Sequence, residues 1–261
     1  MATHKHHRPS LRDDLGHALE LAGPVERVVS LVPSLTEAIV ATRPEALVGA
    51  TDWCTHPADL DVPRVRGTKN PDRAAIADLR PDLVVANQEE NRELDVTRLR
   101  DAGIAVWVTR IETVDEAFTS MRSLFEHGLG WGAPAWLADA EAAWQHPSAR
   151  RGTVTVPIWR DPWMVVGPRT FTADLLDRLG WTNAFDSPDP EAARYPSVEL
   201  AAIDRPDVDL VMLPDEPYVF GPDDGPEAFS TAPTALVSGR LLTWYGPSLL
   251  EARDALDAIG R

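Results

Sequence analysis

The chain has one cysteine, Cys54, in 261 residues. A single thiol excludes an internal disulfide and a multi-cysteine metal cluster, and its place in the chain excludes a lipid anchor beside a cleaved leader. Basic side chains are also scarce: 25 Lys and Arg stand against 41 Asp and Glu, a formal charge of −16. A surface of that sign repels phosphate backbones and anionic membranes, so nucleic acid is not expected as a partner. No segment approaches the ~18 consecutive apolar residues of a bilayer-crossing helix, and no membrane span is expected. The first 23 residues, MATHKHHRPSLRDDLGHALELAG, also lack the apolar run of about 7–15 residues that a secretory leader needs. The expectation is a cytoplasmic protein, or a periplasmic or extracellular one if the true start lies upstream. His4, His6, His7 and His17 crowd that stretch, but no second cluster fixes a metal geometry, and it reads as a polar tail.

What is present is a repeat. NPDRAAIADLRPDLVVANQEE at 70–90 gives a helix start, a short amphipathic helix, Arg-Pro-Asp, an apolar strand and an acidic loop. SVELAAIDRPDVDLVMLPDE at 197–216 repeats that order. Arg205-Pro206-Asp207 answers Arg80-Pro81-Asp82, and Asp215-Glu216 answers Glu89-Glu90. Each copy needs its own sheet to bury its apolar face, which predicts two similar lobes with a ligand cleft between them.

The fold class expected is α/β, with two parallel-sheet lobes joined by a long helical connector. The boundaries are a tail at 1–24, a first lobe at 25–112, a connector at 113–150 and a second lobe at 151–261. Strands are read at Val25–Val32, Ala46–Thr51, Leu83–Asn87 and Ile104–Thr109 in the first lobe, with helices at Pro71–Leu79 and Val96–Ala102. Ser34 and Glu37 have the spacing of a capping box for the helix after Pro33. The second lobe reads as a strand at Thr153–Trp159, a helix at Asp174–Leu179, the repeated module, a strand at Ala235–Val237 and a helix at Pro247–Ile259. The 221–234 stretch, GPDDGPEAFSTAPT, is turn-rich.

In a parallel sheet, ligands bind beyond the carboxyl ends of the strands. The residues there form the candidate ligand-binding set: Pro33, Ser34, Trp53, Cys54, His56, Lys69, Glu89, Glu90, Asn91, Arg92, Arg160, Trp163, Glu216, Tyr218, Trp244 and Tyr245. Aromatic faces suit a flat or apolar ligand, with Trp53 and Trp163 as the leading walls; filling the core is the plainer role for each ring. Cys54 and His56 lie two apart, a spacing at which both could reach one metal or give one axial bond to a bound metal complex. A buried thiol and a hydrogen-bonded imidazole account for them equally simply. Glu89, Glu90, Asp215 and Glu216 could act as acid and base, bind amide and amine groups, or form a solvated rim; Arg92 and Arg160 could neutralise them or hold anions. Asp72 and Glu199, at matching places in the two copies, suit a helix dipole without any partner.

The run RVVSLVPSLTEAIVA, then GATDWCTHP, then GTKNPD, a helix and RPDLVVAN, resembles in order and spacing the first lobe of the helical-backbone solute-binding proteins of ABC importers, the cobalamin-binding branch in particular. RYPSVEL followed by RPDVDLVML resembles the second lobe, so the resemblance covers nearly all of the chain from about Val25 onward. It implies two α/β lobes bridged by a rigid helix, with cobalamin, haem or a ferric siderophore held between them. It also implies that one carboxylate per lobe, at Asp72 and Glu199, meets permease arginines, and that Trp53 contacts the corrin. Asp72 is shorter than the family's usual glutamate. Members that serve importers are exported, so an ABC permease is a partner only if this chain is exported as well.

The leading expectation is therefore a monomeric, non-enzymatic binding protein for a small-molecule metal complex, with no cofactor required. The alternatives are a cytoplasmic enzyme of tetrapyrrole or metal metabolism, for which no diagnostic catalytic motif is present, and a conventional importer subunit.

Overall fold

The computed structural model describes residues 11–21 and 23–260, so His4, His6 and His7 lie outside the described residues. These residues divide into two compact units. The first holds the residues up to Arg110 with Thr119–Pro134, and the second holds Ile111–Phe118 with the residues from Ala135 onward.

In the first unit β1 (Val28–Ser30), β2 (Leu47–Ala50), β3 (Leu83–Asn87) and β4 (Val106–Thr109) form a parallel sheet in the order β2-β1-β3-β4. All five residues of β3 are buried, as the unbroken apolar run LVVAN requires of a strand covered on both faces. Helices α1 (Pro33–Val40), α2 (Arg73–Asp78) and α3 (Glu93–Asp101) follow β1, β2 and β3. Ile76 of α2 and Val96 and Leu99 of α3 join Val29, Val84, Ala86, Val106 and Val108 in one core cluster.

The second unit has β5 (Gly152–Thr155), β6 (Trp181–Asn183), β7 (Leu210–Pro214) and β8 (Thr234–Val237), also parallel and in the order β6-β5-β7-β8. Each sheet thus repeats the other's strand order, and the repeated sequence module supplies the third strand of each. Stretch 113–150 contains α4 (Val114–Ser123), a π-helical turn at Leu124–Gly128 and α5 (Ala135–Ala143), and its residues are shared between the two units. The remaining helices are α6 (Phe171–Arg178), α7 (Leu200–Ile203), α8 (Gly239–Thr243) and α9 (Ser248–Asp257). Among the described residues no helix is long and apolar enough to cross a membrane.

Several local expectations are corrected. The strand read at Thr153–Trp159 stops at Thr155, and Pro157–Trp159 pairs antiparallel with Met164–Val165 instead. The N-cap of α1 is Val32, with no side-chain cap. Ser34 lies inside the first turn, and its buried hydroxyl has no hydrogen-bond partner, so the capping box does not form.

The register of the repeat also shifts. Asp82, directly before β3, accepts the backbone N–H groups of Glu26 and Arg27 just ahead of β1 (both 2.9 Å). The residue that does this in the second unit is Asp209, directly before β7, which accepts from Thr153 N–H (2.8 Å). Asp207 instead pairs with Arg205 (3.2 Å).

Residues 11–19 belong to the stretch read as tail, yet they form a hairpin, Leu11–Arg12 against Ala18–Leu19. It lies along the outer side of β4: Asp14 N–H donates to Val108 C=O (3.3 Å), and Asp13 Oδ2 accepts from Val108 N–H (3.3 Å). Asp14 Oδ2 accepts from Arg110 N–H (3.0 Å). The acidic pair thereby satisfies backbone groups that an edge strand otherwise leaves open. His17 sits exposed on this hairpin.

Candidate functional site

In both sheets the strand order reverses between the first and third strands, at β1/β3 and at β5/β7. Such a switch point leaves a crevice at the strands' carboxyl ends, because the flanking connections leave in opposite directions. The loops there are the candidate ligand surfaces of the two units, and cis peptide bonds precede Pro57, Pro162 and Pro217 within them.

In the first unit most of the polar candidates hold the loops themselves. Asn91 is buried: its Nδ2 donates to Leu31 C=O (3.2 Å) and Thr68 C=O (3.0 Å), and its Oδ1 accepts from Asn87 N–H (2.8 Å). Asn87 in turn accepts the N–H groups of Glu89 and Glu90 and donates to Thr109 Oγ1. Lys69 Nζ donates to the Glu89 carbonyl (2.5 Å). Asn91 and Lys69 thus fasten the β3 loop. Arg92 is the exposed N-cap residue of α3, and Pro33, half-buried, opens α1.

Cys54 is wholly buried, with its Sγ hydrogen-bonded to the hydroxyls of Thr36 (3.0 Å) and Thr51 (3.2 Å). Burial pushes this thiol's pKa up, with the nearby Glu90 carboxylate adding to the rise, so it stays protonated. His56 is half-buried, its Nδ1 3.3 Å from Thr55 Oγ1. Among the described residues no group of three or more His, Cys, Asp or Glu side chains converges to hold a metal. Of the two readings of Cys54, the buried thiol is the one this geometry matches: its sulfur faces two hydroxyls, not an open coordination site. Trp53 does lie open. It is 65 % exposed, with its indole against Gly67.

In the second unit an aromatic stack underlies the loops after β5 and β7. Trp163 stacks on Phe220 (6.0 Å, 4°) and meets Phe229 edge-on (5.5 Å), and Tyr218 contacts both Phe220 and Trp159. Trp163 is a core residue with Val165, Ile203, Val211 and Leu213, which corrects its assignment as a wall. The exposed apolar surface comes from its neighbours: Trp159 is 45 % exposed and Val219 72 %.

Arg160 lies over the Trp163 ring (5.5 Å) and forms ion pairs with Asp224 and Glu227; Tyr218 Oη donates to Asp224 (2.7 Å). These contacts hold Asp224 below the usual carboxylate range, through Tyr218 first and Arg160 second, and Arg160 holds Glu227 low as well. They push the Tyr218 phenol and the Arg160 guanidinium up.

Glu216 is the acid with a raised pKa. Burial pushes it up, against a hydrogen bond from Trp244 that favours the charged form. A Cβ on Gly239 would collide with Glu216, so that position needs glycine. Asp215 accepts Gly239 N–H (2.6 Å) at the start of α8. Trp244 and Tyr245 are buried, Tyr245 edge-on to Phe171 (5.7 Å), and they pack the loop instead of facing a ligand.

Asp72 and Glu199 are both N-cap residues, directly ahead of their helices. Asp72 accepts from Ala74 N–H and Ala75 N–H (3.2 and 3.1 Å) and pairs with Arg66 (3.4 Å), whereas Glu199 is exposed and makes no side-chain cap. Sequence reasoning missed Asp224, Glu227 and Val219. An acidic turn, DDGPE, downstream of a lone arginine was the signal for the first two; nothing in the sequence marks Val219.

No family model matches the chain. A stretch of 103 residues is 29% identical to the vitamin B12-binding protein of Vibrio cholerae serotype O1; it spans 39% of this chain and 37% of that relative. Over nearly the whole length, the solved periplasmic vitamin B12-binding protein of Vibrio cholerae superposes with a TM-score of 0.70 at 19% identity, covering 90% of this chain and 96% of that one. The chain has the fold of the periplasmic solute-binding proteins. A periplasmic heme-binding protein from Pseudomonas aeruginosa shares that solute-binding fold, with a TM-score of 0.72 at 22% identity over 90% of this chain and 92% of its own. Each of these solute-binding relatives is named for binding, and none for catalysis.

Proposed function

We propose that the chain is a non-enzymatic solute-binding protein whose ligand is a metal chelate of the cobalamin, haem or ferric-siderophore kind. The observation that carries this reading is the exposed apolar surface at strand carboxyl ends, Trp53 in the first unit and Trp159 with Val219 in the second. Indole faces open at strand carboxyl ends suit a flat, largely apolar ligand. The relatives named for vitamin B12 and heme support the ligand class. Glu89 and Glu90, half-buried beside the buried Cys54 loop, and the acids of the β7 loop serve as rim groups in this reading.

Titration calorimetry and visible spectra of the purified chain with cobalamin, haem and ferric siderophores test the proposal. Stoichiometric binding without product formation is the expected result, and silence with every chelate overturns it. The location belongs to the proposal too. We place the carrier in the cytoplasm; recovery of the native protein from the periplasm or medium in cell fractionation overturns that placement.

A further inference from the structure

We propose that the second unit pairs with a second copy of itself along the outer edge of β8, in place of the monomer expected from sequence. The inference is independent of the carrier reading. Val211 N–H donates to Pro233 C=O (2.8 Å) and Asp215 N–H to Val237 C=O (3.2 Å), so residues 233, 235 and 237 turn their backbone groups toward β7. Strand alternation then turns those of Thr234 and Leu236 outward. β8 is the last strand of its sheet, and none of these four outward groups has a partner among the described residues. The open stretch is bounded at both ends. Ala232 N–H is taken by Asp204 Oδ1 (2.8 Å), and Ser238 C=O accepts Leu242 N–H (3.2 Å) at the start of α8.

The matching edge of the first sheet, β4, is covered by the chain's own hairpin and its two aspartates. An uncovered edge is ordinarily guarded by charge, proline or a bulge. β8 has no such guard: residues 228–239 hold no charged side chain in a chain of formal charge −16, and Leu236 is 43 % exposed. Pro233, just ahead of the strand, faces β7, so its missing N–H leaves the outer edge intact. What selects a second copy is the fit of this edge to itself. In an antiparallel pair about a two-fold axis at Ala235, Thr234 of each copy lies opposite Leu236 of the other. The two residues exchange both N–H···O bonds, so all four open groups of each copy are satisfied and none is left over. The Leu236 side chain meets the threonine methyl across the strands, and an uncharged edge receives an uncharged edge. A pairing this short buries less than the ~1,200 Å² of a stable interface, so the dimer is weak and concentration-dependent. Elsewhere the two copies carry like charge, so salt should strengthen it.

Sedimentation velocity of the full chain from about 1 μM to about 1 mM covers the range of a weak interface. The average mass should rise from one chain toward two, and at lower concentration in high salt. Thr234→Pro removes an N–H that the single chain does not use, and Leu236→Lys puts a charge on the edge. Each should raise the dissociation constant at least about tenfold, with circular dichroism confirming the fold. Ala235→Cys should form a disulfide-linked dimer on mild oxidation, because facing Cα atoms about 4.5 Å apart are within disulfide reach and the native Cys54 is buried. Leu250→Cys, exposed on α9, is the control and should cross-link far more slowly. A single-chain mass at every concentration, a dimer that survives both edge variants, or equal cross-linking of the two cysteine variants overturns the inference. So does slow amide exchange at Thr234 and Leu236 in a chain that stays single, which marks a different occupant of the edge. None of these outcomes bears on the carrier reading, which the chelate titrations test separately.

Discussion

Replacing Asp13 by alanine should cost the first unit more than any other single change in residues 11–21. Its side chain is fully buried and makes four contacts. Oδ1 accepts Leu15 N–H (3.1 Å) and His17 N–H (2.8 Å), and Oδ2 accepts Arg100 Nη2 (2.7 Å) and Val108 N–H (3.3 Å). Removing the carboxylate leaves the largely buried Arg100 guanidinium without its counter-ion, and breaking such a pair costs about 3–5 kcal/mol. With urea slopes of about 1–3 kcal/mol/M, the midpoint should fall by on the order of 1–5 M. Tryptophan fluorescence, to which Trp107 buried in β4 contributes, reports the transition. Arg100→Met added to Asp13→Ala should recover part of the loss, because no unpaired charge then remains, so the double variant should be less damaged than the two singles predict. A loss below about 1 kcal/mol for Asp13→Ala, the level of an ordinary exposed ion pair, would refute the reasoning.

Asp72→Ala should destabilise by about 1 kcal/mol through loss of the α2 cap, whereas Glu199→Ala, with no cap to lose, should change stability by less than about 0.5 kcal/mol; equal effects in chemical denaturation would show that the cap contributes nothing. The Glu216 pKa is raised in the folded state, so its favourable contribution is complete below its ordinary value of 4.5 and is lost as pH rises through the folded value. Glu216→Gln should therefore gain stability relative to the parent between pH 4 and pH 7, and a constant difference across that range would contradict the burial argument. Asp204 has the opposite sign. N–H groups of Ala232, Ser230 and Thr231 lower its pKa to about 2, so its contribution is present above 3.8 and is lost as pH falls through about 2. Asp204→Asn should loosen residues 230–232 at neutral pH, seen as faster amide exchange there, and unchanged exchange would sink the assignment.

Much of the fold was legible because burial on both faces writes itself as an uninterrupted apolar run, and Leu83–Asn87 is found where LVVAN placed it. Short edge strands leave no such mark. Trp181–Asn183 is only three residues with threonine and asparagine among them, and it was missed. The local capping rule misplaced Ser34 because Pro33 already opens the helix, which moves the serine into its first turn. The candidate site was legible as a set of loops but not as a set of roles. Strand-end position is encoded in sequence, whereas whether a tryptophan lies open like Trp53 or stacked like Trp163 depends on Phe220 and Phe229, some sixty residues away. Arg160 shows the same limit, since its partners Asp224 and Glu227 come from a distant turn.

The strap of residues 11–19 along β4 bears on how this protein should be produced. A shortened version that begins near Val25, where the resemblance to solute-binding proteins starts, would strip the shield from Val108 and leave a bare ribbon of hydrogen-bonding groups open to the same ribbon on another molecule. Such a trimmed version should clump on expression, while one that keeps Asp13 and Asp14 should remain dispersed.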